Sequence, residues 1–228
     1  MPILNYASEV WGTNDYSKHE SLHLSACKYA LGVKSTTTTD AVYAELGRLS
    51  VKSTRHINIL KFFLRLSNLE NHRYARKAFD MLLADSDLGK TNWVSIARSL
   101  VSHYNINISD NASMIKTKVY NYFQSLVINN LRHHILEDKK LKTYASFKST
   151  FKFETYLDIF SDFNMRCCFA KLRLSAHNLH IETGRYSNRN KPREERYCLF
   201  CKTKNDLVIE DEIHFLTFSH YLSKSAKR

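Results

Sequence analysis

Apolar side chains recur every three or four residues along most of the chain, with polar residues filling the intervals, as expected of helices that bury one face. The longest such stretch runs from Ala112 to Leu136, where Ile115, Val119, Tyr122, Phe123, Leu126 and Ile135 form a stripe too wide for a coiled-coil seam and suited to a globular interior. Over 53–84, Ile57, Leu60, Phe63, Leu64 and Leu69, then Tyr74, Ala78, Met81 and Leu82, predict two packed helices. Trp93, Ile96, Ala97, Leu100 and Tyr104 predict a shorter helix over 91–104. Leu22, Leu24, Cys27, Ala30 and Leu31 predict another over 19–33, ended by Gly32, and 34–40 reads as a polar, threonine-rich link. The opening cluster of Ile3, Leu4, Tyr6, Val10 and Trp11 starts without a polar lead-in, the pattern expected of a segment cut from something longer.

Periodicity fades from Glu137-Asp138-Lys139-Lys140 onward, which places a soft boundary over 137–148. The expected division is 1–50, 51–148 and 149–228. In the last segment an aromatic-rich stretch from Phe151 to Phe163 leads into an amphipathic helix, with Phe163, Cys167, Ala170 and Leu174 on one face and Arg166 and Arg173 on another. With five glycines and two prolines in 228 residues, turn signals are too sparse for a many-stranded sandwich. No tandem repeat at a solenoid period appears. The fold class is therefore mostly α, a bundle-like array of several helices ending in a small zinc-knuckle-like element.

That last element rests on Cys198-Leu199-Phe200-Cys201, His214 and His220. A two-residue gap lets one tight turn aim both thiolates at one ion, and the later histidines stand at separations from which a loop can close a tetrahedral cage around zinc. Cys198, Cys201, His214 and His220 are the candidate metal ligands, and Glu210, Asp211 and Glu212 stand beside them as candidate hydrogen-bond acceptors. His177 and His180 share a spacing of three but have no third ligand near them and read as core or loop residues. The five cysteines are odd in number and irregular in spacing, which argues against a secreted disulfide scaffold.

Charge changes the picture of what the chain meets. Thirty-four lysines and arginines against 22 acids give a formal net charge of +12, an excess that favours polyanions through counterion release. RNA or DNA is the expected partner. The basic residues concentrate where a nucleic acid would be gripped: Arg166, Lys171 and Arg173 on the amphipathic helix, then Arg185, Arg189, Lys191, Arg193 and Arg196 on a polar arm, with Tyr186 available to stack on a base. No run of about 18 apolar residues and no charged head followed by an apolar core is present, so no membrane partner is expected and the expected location is intracellular, nucleus or cytoplasm.

Six short stretches, in this order and spacing, resemble the region after the polymerase core in reverse transcriptases of LINE-type, non-LTR retrotransposons: 7–12 (ASEVWG), 27–33 (CKYALGV), 42–48 (VYAELGR), 153–157 (FETYL), 181–186 (IETGRY) and 211–216 (DEIHFL). The resemblance implies a thumb-like segment over 1–50, a helical linker over 51–148, and a cysteine–histidine knuckle that helps grip template RNA or target DNA. The family's pattern ends in cysteine where this chain has Ser219, a neutral hydroxyl and a far poorer zinc ligand than a thiolate, which makes His220 the candidate replacement. The paired aspartates of a polymerase palm are missing, as no Asp-Asp dipeptide occurs. A non-catalytic, nucleic-acid-binding fragment is the function expected; the alternatives are a helical module for protein interaction and a decayed retroelement product without retained function.

Overall fold

Side-chain caps mark the starts of several helices in this computed structural model, which describes residues 3–14, 17–136, 141–186, 191–203 and 206–217. A short turn at Ile3–Asn5 precedes α1 (Ser8–Trp11), α2 (Ser17–Ala30) and α3 (Thr39–Leu46). α4 (Val51–Ser67) starts where the Ser53 N–H donates to Ser50 Oγ at 3.0 Å. α5 (Tyr74–Asp87) follows, and α6 (Trp93–His103) opens on a reciprocal capping box between Asn92 and Ser95. α7 (Ala112–Leu136) is capped by Asn111 Oδ1, which accepts from the N–H groups of Ser113 and Met114 at 3.0 and 2.9 Å. Its bounds coincide with those read from the sequence.

The later elements are shorter: α8 (Lys142–Phe147), α9 (Tyr156–Ile159), α10 (Phe163–Arg173), α11 (His180–Thr183) and α12 (Leu199–Lys202), with 212–217 again helical. Among the described residues the β structure is one isolated antiparallel bridge, Tyr197 with Ile209. The fold is mostly α, as the apolar periodicity predicts. α3 and α8 lie within or against stretches read as link or boundary. α3 carries no stripe because Ala41, Val42, Tyr43, Ala44 and Glu45 are all buried, and a helix buried all round has no amphipathic pattern to read.

The chain divides into two units that are not contiguous in sequence. The first takes Met1–Ala26, Tyr43–Asn129 and Thr150–Lys152; the second takes Cys27–Val42, Asn130–Ser149 and Phe153–Arg228. The expected boundary at 137–148 therefore falls inside the second unit, and that at 50/51 inside the first. The first unit's core joins Ile57, Leu60 and Phe63 of α4 to Phe79 of α5, Val94 and Ala97 of α6, and Ile115 and Val119 of α7. Phe79 is the buried anchor of α5, whereas Tyr74 and Met81, read as core from their spacing, are 89% and 73% exposed.

In the second unit the end of α2 meets α10 at Gly32. Its φ of +62° suits glycine, and a Cβ there would lie 2.3 Å from the Cys167 sulfur, so the absence of a side chain is what allows the approach. Leu31, Leu131, Leu141, Tyr144, Leu174 and Ile181 are buried in this unit.

Candidate metal centre and basic arm

Residues 196–203 and 206–214 fold so that three of the sequence-predicted ligands, Cys198, Cys201 and His214, converge. The Cys198 N–H donates to Val208 O at 2.8 Å and the Glu210 N–H to Arg196 O at 3.0 Å, flanking the Tyr197–Ile209 bridge and closing a loop from which α12 projects. α12 turns the chain back within four residues: the Lys202 N–H donates to Cys198 O at 2.9 Å, and the Asp206 N–H to Cys201 O at 3.1 Å. His214 enters from the first turn of the 212–217 helix, whose start is capped by Asp211 Oδ1 accepting from the His214 N–H at 2.8 Å.

The ligand atoms of Cys198, Cys201 and His214 all lie within 4.8 Å of one another. Both cysteines are buried, and Cys201 Sγ stands 3.4 Å from His214 Nε2. Two ligands of one tetrahedral zinc, with ordinary Zn–S and Zn–N lengths, would be about 3.6 Å apart. Two thiolates and an imidazole so placed can hold a metal ion. His220 and Ser219, the rivals for a fourth position, lie outside the described residues.

The three acids beside the ligands each have a defined task. Asp211 caps the helix that carries His214, and Glu210 Oε2 accepts from the His180 N–H at 2.6 Å. Glu212, 7% exposed, is the hub: Thr143 Oγ1 donates to it at 2.9 Å, Ser175 Oγ at 3.1 Å and His177 Nε2 at 3.0 Å. The Leu179 N–H donates to His177 Nδ1 at 3.2 Å, which leaves the ring proton on the nitrogen facing Glu212. Burial alone would raise the Glu212 carboxyl, but the bond from His177, a backbone N–H and the Thr143 hydroxyl together outweigh it and hold its pKa at about 2. The charged carboxylate ties the ligand-bearing helix to α8 and to 175–177. No spacing rule singles out Glu212 from its two acidic neighbours.

The basic residues separate into two kinds. Arg196 is 8% exposed and spends its guanidinium on backbone: Nε and Nη2 donate to Lys191 O at 2.9 and 2.7 Å, and Nη1 to Ile181 O at 2.9 Å. With the Lys191 N–H bonded to Gly184 O at 3.1 Å, this clamps the two flanks of the arm together. Gly184 is needed there, since a Cβ would lie 2.9 Å from Arg196 Cγ and 2.8 Å from His180 O. Arg173 is also enclosed, paired with Glu154 at 2.8 Å, with its guanidinium 4.6 Å from the Phe147 ring centroid and 5.4 Å from that of Tyr156. Arg196, read from the sequence as a phosphate contact, holds the fold instead, because burial and three backbone hydrogen bonds remove it from a phosphate's reach, while Arg173 is partly buried and engaged by Glu154 and the aromatic rings.

Lys171 and Tyr186 are exposed, Tyr186 to 75%, while Arg166, Arg185, Lys191 and Arg193 are half-buried. Arg185 pairs with Glu182 at 3.4 Å, and Arg166 stands 5.9 Å over the Phe163 ring. Arg189 lies outside the described residues. No family model, no curated protein and no solved structure matches the chain. Among the described residues no helix is long and apolar enough to cross a membrane.

Proposed function

We propose that the second unit carries a zinc-stabilised basic module that binds RNA or DNA, and that the chain is a non-catalytic piece of a retrotransposon polymerase of the kind its six motifs resemble. One observation carries the reading: Cys198, Cys201 and His214 converge next to an arm whose flanks are clamped at Gly184 and Lys191. Two soft thiolates with an imidazole suit zinc, and zinc held there supplies folding free energy to a segment too short for a core of its own. His220 takes the fourth position in this reading.

In this reading the clamp presents the exposed Tyr186 with the half-buried Arg185, Lys191 and Arg193 as a small platform, where a base stacks on the phenol ring and phosphates meet the cations. Affinity of the full chain for single-stranded RNA and DNA at low salt tests it. In the variant Arg185→Ala, Tyr186→Ala, Arg193→Ala, binding is expected to weaken roughly tenfold or more, given about 1–3 kcal/mol per stacked base. Unchanged affinity would sink the reading. A protein-interaction module would then take its place, favoured by the exposed apolar side chains of Leu199, Leu207 and Ile213 at 67%, 62% and 62%.

A further inference from the structure

In α5 (Tyr74–Asp87) Phe79 is the buried residue, set against the first unit's core. On the opposite side Tyr74, Met81 and Leu88, the last just past the helix end, are 89%, 73% and 76% exposed. Residues seven apart drift by only about 20° round a helix, so the three form one straight apolar line. The exposed Ala78 and Ala84 flank Met81 and leave room for another backbone to come close. The recurrence of Tyr74, Ala78 and Met81 predicts a buried face, and in a single chain that face is bare.

The charges of α5 divide along its length. Arg73 precedes the helix and Arg76 and Lys77 lie in its first turn, whereas Asp80 stands in the middle and Asp85 and Asp87 lie in its last turn. A helix dipole favours carboxylates at the N-terminal end and cations at the C-terminal end, so both ends of α5 carry the disfavoured sign. Arg76 turns back to Asp80 at 2.9 Å, but Arg73 and Lys77 form no ion pair among the described residues. Lys90 and Arg98 reach Asp85 and Asp87 through one carboxylate oxygen each, at 2.8 and 2.5 Å, and the second oxygens have no partner among the described residues.

That pattern selects the partner. α4 and α7 carry cations and no acid, as a surface for polyanions would, but α5 with Arg73 is neutral and has an acidic end that repels a polyanion. A second α5 running the other way matches both the apolar line and the charges. With the pair centred on Met81, Tyr74 comes level with Leu88 of the second copy and Ala78 with Ala84 of the second copy. The Arg73 and Lys77 end then lies beside the Asp85 and Asp87 end, twice over. We infer that two copies of the chain pair antiparallel through α5 about a two-fold axis at Met81. Such a contact is self-complementary and stops at two subunits. One helix pair covers less than the roughly 1,200–2,000 Å² of stable interfaces, so the dimer is a weak one. The inference is independent of the metal and of the arm.

Sedimentation equilibrium of the full chain, kept reduced and free of nucleic acid, is expected to show a monomer–dimer equilibrium between about 10 µM and about 1 mM. Met81→Lys is expected to weaken it by about tenfold or more. Two charge-reversed variants, Arg73→Glu with Lys77→Glu and Asp85→Lys with Asp87→Lys, are each expected to weaken it by about tenfold or more alone, and an equimolar mixture to restore it. All of these side chains lie outside the core, and the urea midpoint of each variant at low concentration is expected to match that of the parent. A parent chain that stays monomeric over this range overturns the pairing. Undiminished association in Met81→Lys and in both reversed variants places the contact elsewhere and overturns the surface. A mixture no tighter than either reversed variant alone overturns the antiparallel arrangement.

Discussion

Arg173, Arg196 and Arg193 are indistinguishable as letters, and environment alone sorts them. Arg196 is spent on three carbonyl bonds and Arg173 on a carboxylate and aromatic faces, while Arg193 retains a partly exposed guanidinium. Sequence carries charge but not saturation, so the arm was legible as basic and its clamp was not. Histidines divide in the same way. His56 Nδ1 is hydrogen-bonded to the Tyr104 hydroxyl at 2.8 Å, and burial, aided by Lys52 and His103, lowers its pKa to about 4. Its unfolded value is near 6.5, so the unfolded chain takes the proton first as pH falls, and stability declines through the window from about 6.5 to about 4. Between about pH 7.5 and about pH 5 this group alone is expected to remove about 2 kcal/mol. Urea unfolding at both pH values checks this: His56→Gln should flatten that part of the pH dependence, and an unchanged slope would show that His56 is not the titrating group.

Elements were legible to the extent that they have a dry face and a wet one. α7 met both conditions over 25 residues and its ends were read correctly, although burial falls on Val127, Ile128 and Leu131 while Tyr122 and Leu126 remain 42% exposed. α3, buried all round, has no wet face, and four-residue turns such as α9, α11 and α12 are too short for any period to show. The knuckle was legible for a different reason: a two-residue cysteine gap is a local constraint that needs no knowledge of the core. Its support was not, since Glu212 reaches partners 35 to 69 residues away in sequence. Metal removal should act on this element. The purified chain is expected to hold one zinc, Cys198→Ser to lose it, and His220→Ala to bind it more weakly. On chelation, amide exchange should accelerate over 197–203 and 206–217 and stay slow in α4 and α6, whose core has no metal in it. Equal protection with and without chelator would mean that the knuckle holds its shape unaided.

At the scale of the whole molecule, each unit is built from stretches far apart in sequence because the chain returns. Residues 27–42 join the second unit and 150–152 the first, and composition has no marker for such exchanges. Charge, by contrast, is a whole-molecule property that survives any error in topology: +12 from 34 basic against 22 acidic residues attracts polyanions however the helices are arranged. Attraction and a defined contact differ in their response to salt. Each phosphate neutralised on a single strand contributes about −0.7 to the slope of log K against log salt. If Arg166, Lys171, Arg185, Lys191 and Arg193 are the contacts, the slope is expected near −3.5, and replacing the last three by alanine should shift it by about +2. Diffuse attraction by the net charge spreads the effect over all 34 basic residues, so the same triple replacement would leave the slope nearly unchanged and weaken binding only slightly. Measuring the slope for both proteins between about 50 and 200 mM salt therefore decides whether the arm is a site or only part of a positive surface.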